Sequence, residues 1–127
     1  MAEALKIVVM DGDETGQELL EAALGVLHPE VLAMELDLER YDLSLERRRE
    51  TGNAIVTEAA QAMCRSGFGI KAATVTPEGR DDVGSPNRIL REGVDGKVII
   101  RTGRRIPGVV GPVSGVHHPI SVDRMAV

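Results

Sequence analysis

The stretch "IKAATVTPEGRDDVGSPNRILREGVDGKVIIRTG", residues 70 to 103, decides how the chain is read. Its first residues complete a strand-like run, "FGIKAATV", that breaks at Thr76-Pro77, where proline withdraws a backbone donor. Ser85-Pro86 opens a short helix, with serine at the cap and proline at the first helical position, and Gly93 ends it. "KVIIRT" reads as a further strand. Strand, helix and strand in succession are the unit from which a parallel sheet is built.

The same alternation extends upstream. "LKIVVM", residues 5 to 10, is a short continuous apolar run suited to a buried strand. "DGDETG" turns the chain, and Thr15 and Glu18 have capping-box spacing. Leu19, Leu20, Ala23, Leu24 and Leu27 then recur on one helical face, and Pro29 stops that helix. In "LAMELDLER" Leu32, Met34, Leu36 and Leu38 alternate with Glu35, Asp37 and Glu39, as in a strand with one wet face near a sheet edge. "LSLERRRETGN" reads as a charged connection. Asn53 can cap a second long helix whose stripe is Ile55, Val56, Ala59, Ala60, Met63 and Cys64, with Gly67 at its C-terminus. The order β-α-β-α-β-α-β predicts an α/β fold with a mainly parallel sheet and helices on its faces. The α/β domain is expected over residues 1–105, with residues 106–127, rich in Gly, Pro and Val, as an extended C-terminal arm.

Composition narrows the classes. The chain has 127 residues, enough for one ordinary domain. Apolar residues make up 43% and aromatics only 2%, so the core is expected to be aliphatic. No apolar run approaches the roughly 20 residues that cross a bilayer. A single cysteine excludes an internal disulfide framework. With no basic-then-apolar leader either, a cytoplasmic location is the default. The net charge of −5, without a dense basic block, speaks against nucleic acid as a partner.

Three motifs have plain structural readings. "MDGDETG" sits where dinucleotide folds bind pyrophosphate, but it lacks the glycine fingerprint, and Asp11, Asp13 and Glu14 would repel phosphate. It is read as a solvated turn. His117-His118 could ligate metal or act as acid or base, yet neighbours in an extended chain point apart and no third ligand is near. No metal site is assigned. Cys64 lies on the apolar stripe and is read as core.

The 70–103 stretch is different. Ser85 offers a hydroxyl beside the open N–H groups of a helix start. Asn87 and Arg91 are spaced to share one face of that helix. Arg101 ends the next strand and Thr76 lies just past the previous one, at the edge where open α/β sheets bind ligands. Spacing alone leaves two readings: arginines that solvate a surface, or a pocket for a carboxylate-rich molecule gripped by two guanidinium forks.

In "MDGDETGQELL", in "YDLSLERRRETGNAIVTEAAQAMCRSGFGIKAATVTPEG", in "SPNRILREGVDGKVIIR" and in "RRIPGVVGP", the sequence resembles the N-terminal part of the isocitrate and isopropylmalate dehydrogenase family, nearest to its NADP-dependent isocitrate enzymes. The resemblance runs through nearly the whole chain and rests on the shared order and spacing of short motifs. It implies that Thr76, Ser85, Asn87, Arg91 and Arg101 match positions holding the carboxylates of a 2-hydroxy acid, and that Thr74 matches a position near the nicotinamide cofactor. The family's third substrate arginine falls at about His117, with Arg124 as the other candidate. Histidine there is shorter and lacks the bidentate fork.

The resemblance also implies a truncated fold. The family's catalytic tyrosine and lysine, its Mg²⁺- or Mn²⁺-holding aspartates and its adenine loop match nothing in this chain. The expectation is a protein that binds an isocitrate-like di- or tricarboxylate and assembles as a homo-oligomer or with a complementing chain, without being a self-sufficient NAD(P)-dependent dehydrogenase. NAD(P) and Mg²⁺ or Mn²⁺ would bind only if a partner completed the site. Two alternatives accompany it. The chain could be one component of an oligomeric or split decarboxylating dehydrogenase, covered by a complementing chain or a copy of itself. Or it could be a lyase, isomerase or decarboxylase that reuses the carboxylate pocket, with His117 or His118 moving a proton.

Overall fold

The computed structural model describes residues 4–79, 81–103, 106–110 and 120–124. The chain forms two compact units, Met1–Val94 and Asp95–Val127. The first contains strands β1 (Leu5–Asp11), β2 (Leu36–Asp42) and β3 (Gly69–Lys71) and helices α1 (Glu14–Val26), α2 (Pro29–Leu32), α3 (Leu45–Thr51), α4 (Ala54–Ser66) and α5 (Pro86–Gly93). The sheet order is β2-β1-β3 and both pairings are parallel. Leu5 to Asp11 lie opposite Leu36 to Asp42 in register, and Val8 to Met10 lie opposite Gly69 to Lys71.

Strand β1 is central because its side chains can be buried on both faces. Val8, Val9 and Met10 are all buried. The period of two sends them to different layers. Val8 and Met10 meet Leu43, the α4 residues Val56, Ala59, Ala60 and Ala62, and Leu90 of α5. Val9 faces the other way, onto Leu20 of α1 and Ala72. Helices therefore cover both faces of a parallel sheet, as the alternation predicts. The small alanines of α4 let α5 approach: a Cβ on Gly93 would come within 2.7 Å of the Ala60 Cβ.

Several elements differ in detail from the sequence expectation. Helix α1 begins at Glu14 with Asp13 at its N-cap, ahead of the Thr15–Glu18 box. The Asp13 carboxylate makes no cap, because it bonds elsewhere. Pro29 starts the one-turn helix α2, which ends at Ala33 in the left-handed region, so β2 begins at Leu36 rather than Leu32. "LERRRET" is helix α3, not a connection: the Ser44 hydroxyl accepts from the Arg47 N–H at 3.3 Å, and Gly52 at φ 54° closes the helix. Cys64 is exposed, its thiol donating to the Gly93 carbonyl at 3.1 Å.

The larger difference concerns the fourth strand. In the second unit β4 (Val98–Thr102) pairs antiparallel with β5 (Ile120–Arg124), placing Val98 opposite Arg124 and Arg101 opposite Ser121. It forms a separate two-stranded sheet and does not extend the parallel one. The units accordingly divide before β4 rather than at residue 105, and the stretch read as an extended arm contributes a strand.

Gly16 tests the close approach of α1 to the segment after β3. An alanine Cβ there would lie 2.5 Å from the Ala73 carbonyl oxygen and 2.9 Å from its nitrogen. Helix propensity favours Gly→Ala by about 1 kcal/mol, while overpacking against backbone costs about 1–3 kcal/mol. The clash is expected to prevail, so Gly16→Ala should lower the urea midpoint. A raised midpoint would show that the segment yields freely.

Candidate functional site

Parallel pairing brings the C-terminal ends of β1, β2 and β3 to one edge, and the segments that leave them meet there. Ala72 donates its N–H to Met10 O at 2.9 Å, and Asp13 donates its own to Ala73 O at 3.0 Å. Gly12 makes this possible, since any Cβ there would strike the Ala73 carbonyl. The Asp13 carboxylate then accepts from two backbone groups, Leu45 N–H and Val75 N–H, each at 2.8 Å. The turn read as solvated is therefore a clasp between three segments of chain.

Opposite it stands Arg48, fully buried at 0% exposure. Its guanidinium donates to three carbonyls: Nε to Leu43 O at 2.9 Å, Nη1 to Gly84 O at 2.9 Å and Nη2 to Val75 O at 2.5 Å. The Asp13 carboxylate lies 3.8 Å from Nη2. Burial pushes the Arg48 pKa down, against the pull of Asp13 and Asp82. The loop before α5 has two further tethers. Arg49 pairs with Asp82 at 2.6 Å, and the Asn53 amide donates to Val83 O at 2.7 Å.

These anchors place several of the expected ligand residues. Thr76 follows Val75, whose N–H and C=O are both bonded. Ser85 follows Gly84 and caps α5, its hydroxyl accepting from Asn87 N–H at 3.4 Å. Asn87 and Arg91 are exposed on α5. Arg91 makes no salt bridge among the described residues, whereas its neighbour Arg88 is paired with Glu92 at 2.7 Å. Thr74 accepts a hydrogen bond from Lys71 Nζ at 3.2 Å, and the same ammonium donates to Ala72 O at 2.8 Å. Burial pushes the Lys71 pKa down, and the Arg48 and Arg91 charges push it the same way, against Asp13. Three cations thus act on one small region. Arg101 lies in β4 and Arg124 ends β5, both in the second unit. His117 and His118 fall outside the described residues.

No group of three or more His, Cys, Asp or Glu side chains suited to a metal ion occurs among the described residues. Asp13 is committed to backbone groups, and Asp11 to Arg40 and Gln17. A shallow depression lined by Leu5, Lys6, Glu39, Arg65 and Ser66 opens at the opposite, N-terminal end of the strands, away from these residues. No described helix is long and apolar enough to cross a membrane.

The family model for isocitrate/isopropylmalate dehydrogenase matches residues 6–112. The chain belongs to that family. Among isocitrate/isopropylmalate dehydrogenase relatives, it is 38% identical to the NADP isocitrate dehydrogenase of Sphingobium yanoikuyae over 94% of this chain and 31% of that protein. It is 33% identical to the mitochondrial NADP enzyme of Aspergillus niger over 94% of this chain and 25% of that protein. A peroxisomal NADP enzyme of Candida tropicalis is 39% identical over 57% of this chain and 17% of its own length. The chain thus spans about a quarter to a third of the first two relatives.

Sequence reasoning missed Arg48, Asp13 and the engaged state of Lys71. The signal for Arg48 was its place three residues after Leu45, on the inward side of α3, hidden among Arg47 and Arg49. Lys71 supplies a pH test. Its pKa lies below the ordinary 10.5, so in the interval between its folded value and 10.5 the unfolded chain holds more protons. Stability should therefore rise with pH across that interval. Denaturation curves of wild type and Lys71→Met should diverge there, with the variant lacking the rise. Parallel pH profiles would show that the ammonium is fully solvated.

Proposed function

We propose that the first unit of this isocitrate/isopropylmalate dehydrogenase-family chain binds a small di- or tricarboxylate 2-hydroxy acid, isocitrate being the reference ligand. The observation that carries this reading is the set of cations at the C-terminal edge of the parallel sheet. Arg91 is exposed and without a salt bridge among the described residues, the Lys71 pKa is lowered first by burial and then by the Arg48 and Arg91 charges, and Arg48 pins the carbonyls that precede Thr76 and Ser85. A carboxylate entering there relieves cation repulsion and accepts from hydroxyl, amide and guanidinium groups together. The first unit alone supports the reading, since Arg101 and Arg124 belong to the second. The role that follows is a binding or accessory protein.

The similarity to NADP-named enzymes favours a second reading, in which this segment works inside an assembled NADP-dependent decarboxylating dehydrogenase. The metal ligands and the base would then be supplied from outside the described residues. Isocitrate-dependent reduction of NADP by this chain assembled with a complementing chain, and not by this chain alone, would favour that reading over the first.

Calorimetric titration with isocitrate, citrate and isopropylmalate tests the binding reading directly. At least one should bind. A charge-assisted hydrogen bond is worth about 1.5–3 kcal/mol, so Arg91→Gln should weaken that affinity by about 10–100-fold. No heat with any of the three acids, at low and moderate salt, overturns it.

A further inference from the structure

We propose that Arg48 is a positioning residue whose guanidinium sets the separation of the Thr76 and Ser85 hydroxyls. This rests on the carboxylate site proposed above. Arg48 is completely buried and would not itself touch a ligand. Its Nη2 binds the carbonyl of the Val75–Thr76 peptide, and its Nη1 binds that of the Gly84–Ser85 peptide. One rigid, planar fork therefore grips the two peptide groups that lead into the two hydroxyl residues. Nε fixes the fork against Leu43 O, at the end of β2. The two peptides so joined lie nine residues apart, 36 and 27 residues from Arg48, and the other tethers grip other atoms. Arg49 holds the Asp82 side chain and Asn53 holds Val83 O.

The chemistry explains why the residue is arginine. A buried cation is an expensive way to fill space, and a packed apolar side chain would serve a core better. An ammonium is a single compact donor centre and cannot meet three carbonyls in one plane. Asp13 offsets the charge while holding Val75 by its N–H, so Val75 is gripped on both polar groups. Neither hydroxyl residue can move without breaking a bond to a group that has no water to replace it.

The experiment uses the full chain, titrated with isocitrate, as wild type, Arg48→Lys, Arg48→Gln and Arg49→Ala. Amide hydrogen exchange is measured on the same proteins without ligand. Arg48→Lys keeps the charge but loses the fork. Faster exchange is expected in the 76–79 and 85–87 segments of both Arg48 variants, with β1 and α4 amides unchanged. Isocitrate affinity should fall at least 10-fold in each, and by less than twofold in Arg49→Ala. In a fifth protein, Arg48→Ala, which leaves the space of the guanidinium empty, guanidinium ion at millimolar concentration should restore binding, while methylammonium should not.

A merely structural arginine would lower the melting temperature without this local pattern and without selective rescue. Unchanged exchange near Thr76 and Ser85 in Arg48→Lys overturns the proposal. Unfolding of every Arg48 variant does so too, because the residue would then serve the whole core. If wild type binds no isocitrate, the carboxylate reading fails, while the exchange pattern still decides the role of Arg48.

Discussion

The cationic edge depends on how the Val75 peptide unit is held. Its N–H is taken by Asp13 from the start of α1, and its carbonyl by Arg48 from the middle of α3. Strand β3 pairs for only three residues before the chain leaves the sheet. Without a ladder, the segment that follows would have no regular partner for its backbone groups. Two side chains of opposite charge do the work that a fourth and fifth strand residue would otherwise do, and they leave the side chains of Thr74 and Thr76 free of the sheet's alternation.

This arrangement is costly unless it is complete. Removing one partner of a buried ion pair typically costs about 3–5 kcal/mol, because the other charge is stranded. Here each charge has enough neutral bonds to be tolerable. Asp13 accepts two backbone N–H groups, and Arg48 donates to three carbonyls, so the 3.8 Å between them matters less than the bonds around them. Gly12 and Gly16 are the steric side of the same constraint. The segment lies so close to α1 that side chains at these positions would meet Ala73. Glycines in this turn admit backbone, where a dinucleotide fold would admit a pyrophosphate.

The parts of the fold that could be read from sequence were those set by local rules. "LKIVVM" carries one polar residue, Lys6, near its exposed start, and its Val8, Val9 and Met10 are buried on both faces; Ser85-Pro86 caps α5; Val56, Ala59 and Ala60 point inward at helical spacing. The parts that could not be read depend on distant partners. Arg47, Arg48 and Arg49 look alike in sequence, yet they pair with Glu50, with three backbone carbonyls and with Asp82 respectively. The strand "KVIIRT" carries no mark of its partner, since antiparallel pairing with Ile120–Arg124 spans a Gly- and Pro-rich stretch without periodicity. Cys64 sits at the rim of the α4 stripe, and the small drift of a 3.6-residue turn brings it out to the Gly93 carbonyl. Of the candidate site, the grouping of Ser85, Asn87 and Arg91 on one element could be read, because one short capped helix orders them. Arg48 was not, because a buried cation is recognised only by what surrounds it.

Overall charge and local charge then separate. The chain is acidic by five charges, yet much of that acid is answered locally: Asp11 and Glu21 by Arg40, Asp37 and Glu39 by Lys6, Asp82 by Arg49. At the C-terminal edge of the sheet the balance reverses, with Lys71 under the influence of Arg48 and Arg91 and with Asp13 as the opposing carboxylate. Screening in salt confines such fields to about 8–10 Å. Long-range attraction by the protein as a whole would therefore not favour an anion, and short-range geometry would decide whether one is held. On the proposed reading, the grip of Arg48 on the Val75 and Gly84 carbonyls therefore carries more weight than the number of arginines on the surface.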